Sequence, residues 1–277
     1  MSKWQCRYAP SLGALEDTPG NVWGTLPYTD PEAPAVFMGL YGLPDFIALW
    51  RHKGKKAILW CGSDITHFKN GYWLDDKGEI RLPSRQLAVW INKHCENYVE
   101  NKVEQKALQG LGIGAIVVPS FLGDVKKFAV SYQWSEKPKL YTSVSGDNFE
   151  LYGWDRIPQL AEDNPDVEFH LYGASVPTDR FLPAEGIKNV FHHGRVPKEQ
   201  MNEEIAKMQG GLRLTQFDGF SEIIAKSVLM GQWPVSLIEY PHVLKLNEIC
   251  LLKEKKEPNL EGRRYYQNAI NKYPWVK

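Results

Sequence analysis

The window Asn189–Ile238 holds the densest set of residues suited to chemistry. Asp218-Gly219-Phe220-Ser221 is a polar, glycine-containing turn between an apolar run, Leu212–Thr215, and a helical pattern, Ser221–Met230. A turn that opens into a helix offers unpaired backbone N–H groups and the positive end of the helix dipole, which suit a phosphate or a sugar hydroxyl. Gly219 lets a ligand approach the backbone closely. Arg213 alternates with Leu212 and Leu214 just before this turn, so it reads either as a cation directed at the ligand or as a structural ion pair. Glu222 and Lys226 stand at i and i+4 with the acid first, the order of an ordinary helix-surface pair. Elsewhere, Tyr41-Gly42 follows the run Ala35–Leu40, and Asp64 follows the run Lys56–Cys61 and Gly62. Both are turns after an apolar run, and capping or turn formation is the plainer role for Asp64. His192-His193 has no third ligand at metal-site spacing, His170 reads as a core histidine within a strand, and Asp75-Asp76 reads as a turn before Gly78.

These residues need a scaffold. The chain has 277 residues, and at about 150 per domain that suggests two domains. Lys plus Arg is 33 and Asp plus Glu is 33, which argues against a dedicated nucleic-acid binder with a basic face. No apolar run approaches the roughly 20 residues that cross a bilayer, so no transmembrane segment is expected. The start, MSKWQCRYAP, lacks the charged and apolar regions of a signal peptide, and the four cysteines are scattered without a Cys-x-x-Cys. A cytoplasmic protein is the expectation. Ten Trp residues serve a core or a sugar-stacking surface equally well.

Elements follow from the pattern. The first 34 residues read as an irregular arm. Ala35–Leu40 and Lys56–Cys61 read as buried strands flanking a helix, Asp45–His52, with Asp45 as its cap. Asn101–Gln109 reads as a helix with an Asn101/Glu104 capping box, followed by a strand at Ala115–Val118. The pattern then restarts: strand Leu140–Ser145, helix Phe149–Glu162 with a possible kink at Pro158, strand Val167–Tyr172, strand Asn189–His193, helix Pro197–Met208 ended by Gly210-Gly211, strand Leu212–Thr215, helix Ser221–Met230 and strand Pro234–Ile238. Lys253–Glu257 reads as a solvated face. Two such series predict an α/β protein with two doubly wound halves, residues 1–135 and 136–277. A dehydrogenase fits poorly, because no Gly-x-Gly-x-x-Gly follows a strand.

The order of features resembles the C-terminal half of GT-B glycosyltransferases of the retaining group 1 (family 4) class. Phe191-His192-His193-Gly194, Asp218-Gly219-Phe220-Ser221 and Gly231-Gln232-Trp233-Pro234-Val235 match its successive motifs, and the resemblance extends loosely over residues 35–240. It implies two Rossmann-like domains facing a cleft, with a compact N-terminal acceptor-side domain and a C-terminal nucleotide-sugar-binding domain whose last helix packs back on the first. It also implies that Asp218 takes the first position of a Glu-x7-Glu motif, contacting the donor sugar, and that Lys226 takes the second, where a carboxylate would hold ribose. Lysine is a donor only, so this is a charge reversal. The loop Ser143–Asn148, containing Gly146, lacks the basic pair usual near the first strand of this domain. The remaining donor-binding candidates are Gly146, Gly194, Arg195, Gly219, Phe220, Ser221 and Glu222; the catalytic candidates are Asp64, Arg213 and Asp218; Tyr41 and Gly42 face the acceptor.

The resemblance thus implies a metal-independent transferase without a cofactor, moving a sugar from a nucleotide-sugar substrate to a glycan or lipid-linked acceptor with retention. Peripheral membrane contact fits a lipid-linked acceptor. The alternative is an inactive GT-B-like binding module partnering another transferase, suggested by Lys226, the missing basic pair and the short chain.

Overall fold

The computed structural model describes residues 3–15, 18–73, 81–82, 84–144, 148–173 and 186–276. The chain forms two compact units. One comprises Met1–Asp124, Phe217–Phe220 and Ala269–Lys277; the other comprises Val125–Gln216 and Ser221–Asn268.

The first unit runs β1 (Gln5–Tyr8), α1 (Thr18–Trp23), β2 (Leu26–Pro27), β3 (Ala35–Met38), α2 (Leu43–Arg51), β4 (Lys56–Leu59), α3 (Ser63–Asn70), β5 (Tyr72–Trp73), β6 (Arg81–Leu82), α4 (Ser84–His94), β7 (Glu96–Val99), α5 (Lys102–Gln109) and β8 (Ile116–Val117). Six strands form a parallel sheet in the order β2-β1-β3-β4-β7-β8, and β5 pairs β6 antiparallel. β3 is buried along its whole length, as an apolar run in a sheet covered on both faces must be.

The second unit runs β9 (Lys139–Ser143), α6 (Ile157–Asp163), β10 (Glu168–Tyr172), β11 (Val190–Gly194), α7 (Lys198–Ile205), β12 (Gly210–Arg213), α8 (Glu222–Leu229), β13 (Val235–Ser236), β14 (Leu244–Lys245) and α9 (Leu260–Ala269). Its parallel sheet has the order β11-β10-β9-β12-β13-β14. The chain steps outward from β9 to β11, then restarts at β12 and steps the other way. β9 and β12 therefore flank a topological switch point, where ligands bind in open α/β sheets.

Several expectations change. The first 34 residues are not simply an arm: Gln5–Tyr8 is an inner strand between β2 and β3. Its sequence shows no alternation, because buried Gln5 is satisfied through its side chain. Gln5 Oε1 accepts the Thr29 and Asp30 N–H groups at 2.6 and 2.9 Å, and Nε2 donates to the Asp30 carbonyl at 2.9 Å. Phe149–Glu162 is not one helix. A turn with Gly153 at φ 71° precedes a 3-10 turn at Trp154–Arg156, and α6 starts at Ile157, so Pro158 lies in the first helical turn, where its missing N–H is not needed. Asp45 does not cap α2; the cap position is Gly42, and Asp45 lies buried in the first turn, 2.8 Å from Arg7. Gly210 and Gly211 do not end α7 but open β12, where a Cβ on Gly211 would lie 2.6 Å from Ile223 Cγ2 on the helix packed above. α3, α4 and β7 had no clear pattern. In α3 only Asp64, Ile65 and Phe68 are buried.

Many of the tryptophans serve the core: Trp23, Trp60 and Trp154 are fully buried. Trp275 packs against Tyr98 and Tyr273. The Lys253–Glu257 face is largely exposed, yet Lys255 lies over the Trp233 ring at 4.5 Å.

Candidate functional site

In the first unit, the turns after β3, β4 and β7 meet the segment Phe217–Phe220. The turn after β4 is built around Asp64. This carboxylate is completely buried, with Oδ2 accepting the Leu40 N–H at 2.9 Å and Oδ1 accepting the Cys61 N–H at 3.0 Å. It thereby ties the end of β3 to the end of β4. Burial pushes its pKa up to about 6, against the lowering by these backbone bonds. Gly62, at φ 83°, turns the chain into α3. A Cβ there would touch the Gly219 nitrogen at 3.4 Å and Glu104 Oε1 at 3.5 Å. Tyr41 is half-buried and its hydroxyl accepts from Ser63 Oγ at 3.4 Å; burial raises the phenol pKa. Gly42 is extended and accepts the Asp45 and Phe46 N–H groups on its carbonyl.

The turn after β7 contributes Glu100, which no sequence pattern marks, beside Asn101 and Glu104 of the expected capping box. Asn101 caps α5, as predicted, by accepting the Val103 and Glu104 N–H groups at 2.9 and 3.0 Å. The reciprocal half of the box is displaced by one residue, since Glu104 Oε2 accepts from the Glu100 N–H at 2.7 Å. Asn101 Nδ2 then donates to the Asp218 carbonyl at 2.6 Å. Glu100 accepts the Phe220 N–H at 2.8 Å and the Ser120 hydroxyl. Burial lifts the Glu100 pKa to about 7, with the Ser120 and Phe220 bonds opposing and Asp218 assisting. Glu104 is fully buried and its Oε1 has no hydrogen-bond partner among the described residues; burial and the neighbouring Glu100 charge hold it well above the usual carboxylate range. The available signal was a carboxylate one residue before a helix cap, but β7 itself, Glu-Asn-Tyr-Val, carries no strong strand pattern.

The amides of the predicted ligand turn are thus partly taken. The Gly219 N–H reaches its neighbour Asp218 Oδ1 at 3.0 Å, the Phe220 N–H reaches Glu100, and the Ile223 N–H reaches Ser221 Oγ at 3.3 Å. Ser221 is the cap of α8.

The second unit holds the remaining candidates. Arg213, at the carboxyl end of β12, lies with its guanidinium 4.5 Å from the Tyr152 ring centroid. Lys226 is buried on α8, 3.0 Å from Glu222, which also has Lys198 at 3.9 Å. It is not half of a surface pair. Gly194, at φ 68°, ends β11 and the exposed Arg195 follows it. Gly146, like Asp75, Asp76 and Gly78, lies outside the described residues. His170 is satisfied: Nδ1 lies 2.8 Å from His193 Nε2, and Nε2 lies 3.3 Å from Glu168.

The structure therefore brings Tyr41, Gly42, Asp64, Asp218, Gly219 and Phe220 into the first unit. Gly194, Arg195, Arg213, Ser221, Glu222 and Lys226 belong to the second. Among the described residues, no cluster of His, Cys, Asp and Glu is arranged to hold a metal ion, and no helix is long and apolar enough to cross a membrane.

Two parallel six-stranded sheets with covering helices are the architecture of GT-B proteins, and the solved structures that resemble this chain include GT-B glycosyltransferases. The lipopolysaccharide outer core galactosyltransferase WaaB, in its apo form, matches at TM-score 0.58 and 9% identity, over 98% of this chain and 95% of that one. Sucrose-phosphate synthase from Thermosynechococcus elongatus matches at TM-score 0.58 and 11% identity, over 95% and 74%. TarM matches at TM-score 0.55 and 13% identity over 87% of this chain, which spans only 52% of TarM. No protein-family model and no curated protein sequence matches the chain.

Proposed function

We propose that this chain is a sugar transferase that takes its donor from a nucleotide sugar, works without a metal or cofactor, and retains anomeric configuration. One observation carries the reading: the polar Asp218–Ser221 turn follows β12, a strand at the switch point of the second sheet, and leads directly into α8. A nucleoside diphosphate leaves in such a reaction, and its developing charge requires preorganised positive groups. In this reading the side chains of Arg213, at the carboxyl end of β12, and Lys226, on α8, take this task. On the same reading Asp218 contacts the donor sugar, and Gly146, Gly194 and Arg195 bind the donor. Ser221 and Glu222 shape the start of α8, and Tyr41 and Gly42 serve the acceptor, a glycan or a lipid-linked sugar reached by peripheral membrane contact. Asp64 acts by holding the turns after β3 and β4, since both its oxygens are engaged by backbone. Four unpaired cysteines suit a cytoplasmic location.

Thermal melting against UDP, GDP and ADP and their sugars, with NAD as control, tests the reading. A ligand at about 100 times its Kd stabilises by roughly 2.7 kcal/mol, several degrees in Tm. A shift with one nucleotide identifies the base and licenses a transfer assay with its sugars. No shift with any of them overturns the proposal.

A further inference from the structure

Glu100 stands at the carboxyl end of β7, one residue before the cap of α5. Its carboxylate holds the Phe220 N–H at 2.8 Å, 120 positions away in sequence, and also takes the Ser120 hydroxyl. The next residue, Asn101, holds the Asp218 carbonyl at 2.6 Å. Between these two anchors lies Gly219, where any Cβ would overlap the Glu100 carboxylate. The backbone on both sides of Gly219, directly after Asp218, is therefore fixed by two consecutive residues of one strand end.

We propose that Glu100 is a positioning residue for sugar transfer: it grips the Phe220 amide, fixes the Asp218–Phe220 turn, and so sets where the Asp218 carboxylate meets the donor, more firmly when Glu100 is ionised than when it is neutral. The inference rests on reading this turn as the donor site. A neutral carboxylic acid still accepts through its carbonyl oxygen and donates to Ser120. A charge-assisted bond is about twice as strong, so ionisation tightens the clamp. The titratable groups facing Glu100 are Cys61 at the end of β4, Glu104 on α5, Asp218 on the turn itself and Tyr273 near the C-terminus, with Asp64 at the start of α3 acting in turn on Glu104 and Cys61. Each of them resists its ionisation when it is itself charged, and the clamp tightens as Glu100 ionises, at about pH 7.

Amide hydrogen exchange at Phe220, read by NMR as a protection factor on the full chain, measures the clamp without any ligand. Steady-state kinetics with UDP-glucose, GDP-mannose and ADP-glucose as probes measure its consequence. Wild-type protection at Phe220 should rise about tenfold between pH 5.5 and 8.5, the size expected when a neutral bond becomes charge-assisted. In Glu100→Gln, which is isosteric and cannot ionise, protection should be flat with pH. Glu100→Ala should lose that protection at every pH and raise the donor KM at least tenfold. Equal Phe220 protection in wild type and Glu100→Gln across the pH range overturns the proposal, and this comparison stands even if Glu100→Ala fails to fold. An unchanged donor KM in folded Glu100→Ala also overturns it. If the wild type uses no nucleotide sugar while Phe220 follows the expected pH course, the transferase reading fails and the clamp stands. If the wild type is active and Phe220 protection ignores pH, the clamp fails alone.

Discussion

Lys226 Nζ lies 3.0 Å from Glu222 Oε1, yet the two side chains differ sharply in exposure, 7% for the lysine and 56% for the glutamate. The sequence spacing suggests an exposed pair of small value, whereas the lysine is a buried cation with one partner at the surface. Reversing its charge would bury a carboxylate on α8 beside Glu222. Lys226→Glu should destabilise the second unit by about 3–5 kcal/mol in urea unfolding, the scale of an uncompensated buried charge. Lys226→Met should fold normally and weaken nucleoside diphosphate binding at least tenfold. Binding at wild-type strength in Lys226→Met would remove this lysine from the donor site.

Arg213 stacks on Tyr152 at 4.5 Å, an interaction worth about 0.5–1 kcal/mol at an exposed site. Arg213→Ala should lose this stacking and still fold, which thermal melting checks. Turnover should fall by at least about 100-fold, as when a group that stabilises transition-state charge is removed. An active Arg213→Ala enzyme would exclude the guanidinium from the reaction.

Glu104 is buried with no partner for Oε1 among the described residues, and Asp64 and Glu100 beside it have pKa values raised to about 6 and about 7. A carboxyl whose pKa is higher folded than unfolded stabilises fully below its unfolded value and loses that contribution as pH rises through the folded value. The first unit should accordingly lose stability between about pH 4 and 7. Glu104→Gln should raise Tm at pH 8 and leave it nearly unchanged at pH 4.5, with a gain on the order of 1–3 kcal/mol. Calorimetry at the two pH values decides; a loss of Tm at pH 8 would show that the charged form is needed.

The second unit should respond to pH in the opposite sense. His170 and His193 share a 2.8 Å contact within a ring stack that runs Phe191, His170, His193, Tyr172. Burial pushes the His170 pKa down to about 4 and lowers that of His193. A histidine with a depressed folded pKa stabilises above about 6.5 and loses that contribution as pH falls. Melting of the second unit should drop between pH 6.5 and 4, and His193→Phe should flatten that limb. An acid limb of unchanged size in this variant would assign it to other groups.

Gly219→Ala would drive a methyl group into the Glu100 carboxylate. It should destabilise the first unit by about 1–3 kcal/mol, the usual cost of overpacking. Adding Glu100→Ala to Gly219→Ala should recover part of that loss, a coupling that a double-mutant cycle measures directly. Strictly additive effects would place the strain elsewhere.

Local order was legible where local chemistry decides it. β3 is an uninterrupted apolar run, β4 is one after Lys56, and Asn101 and Ser221 cap their helices as their types require. The polar turn at Asp218–Ser221 was visible because glycine and a cap residue sit together before a helix. The tertiary structure alone decided that Gln5–Tyr8 is an inner strand, because Gln5 replaces apolar burial with bonds to residues 24 and 25 positions on. It alone decided that Lys226 is buried and that Glu100 holds Phe220. A hydrogen bond between residues 120 positions apart leaves no periodicity in the chain, and depends on where two strand ends and one returning segment come to rest.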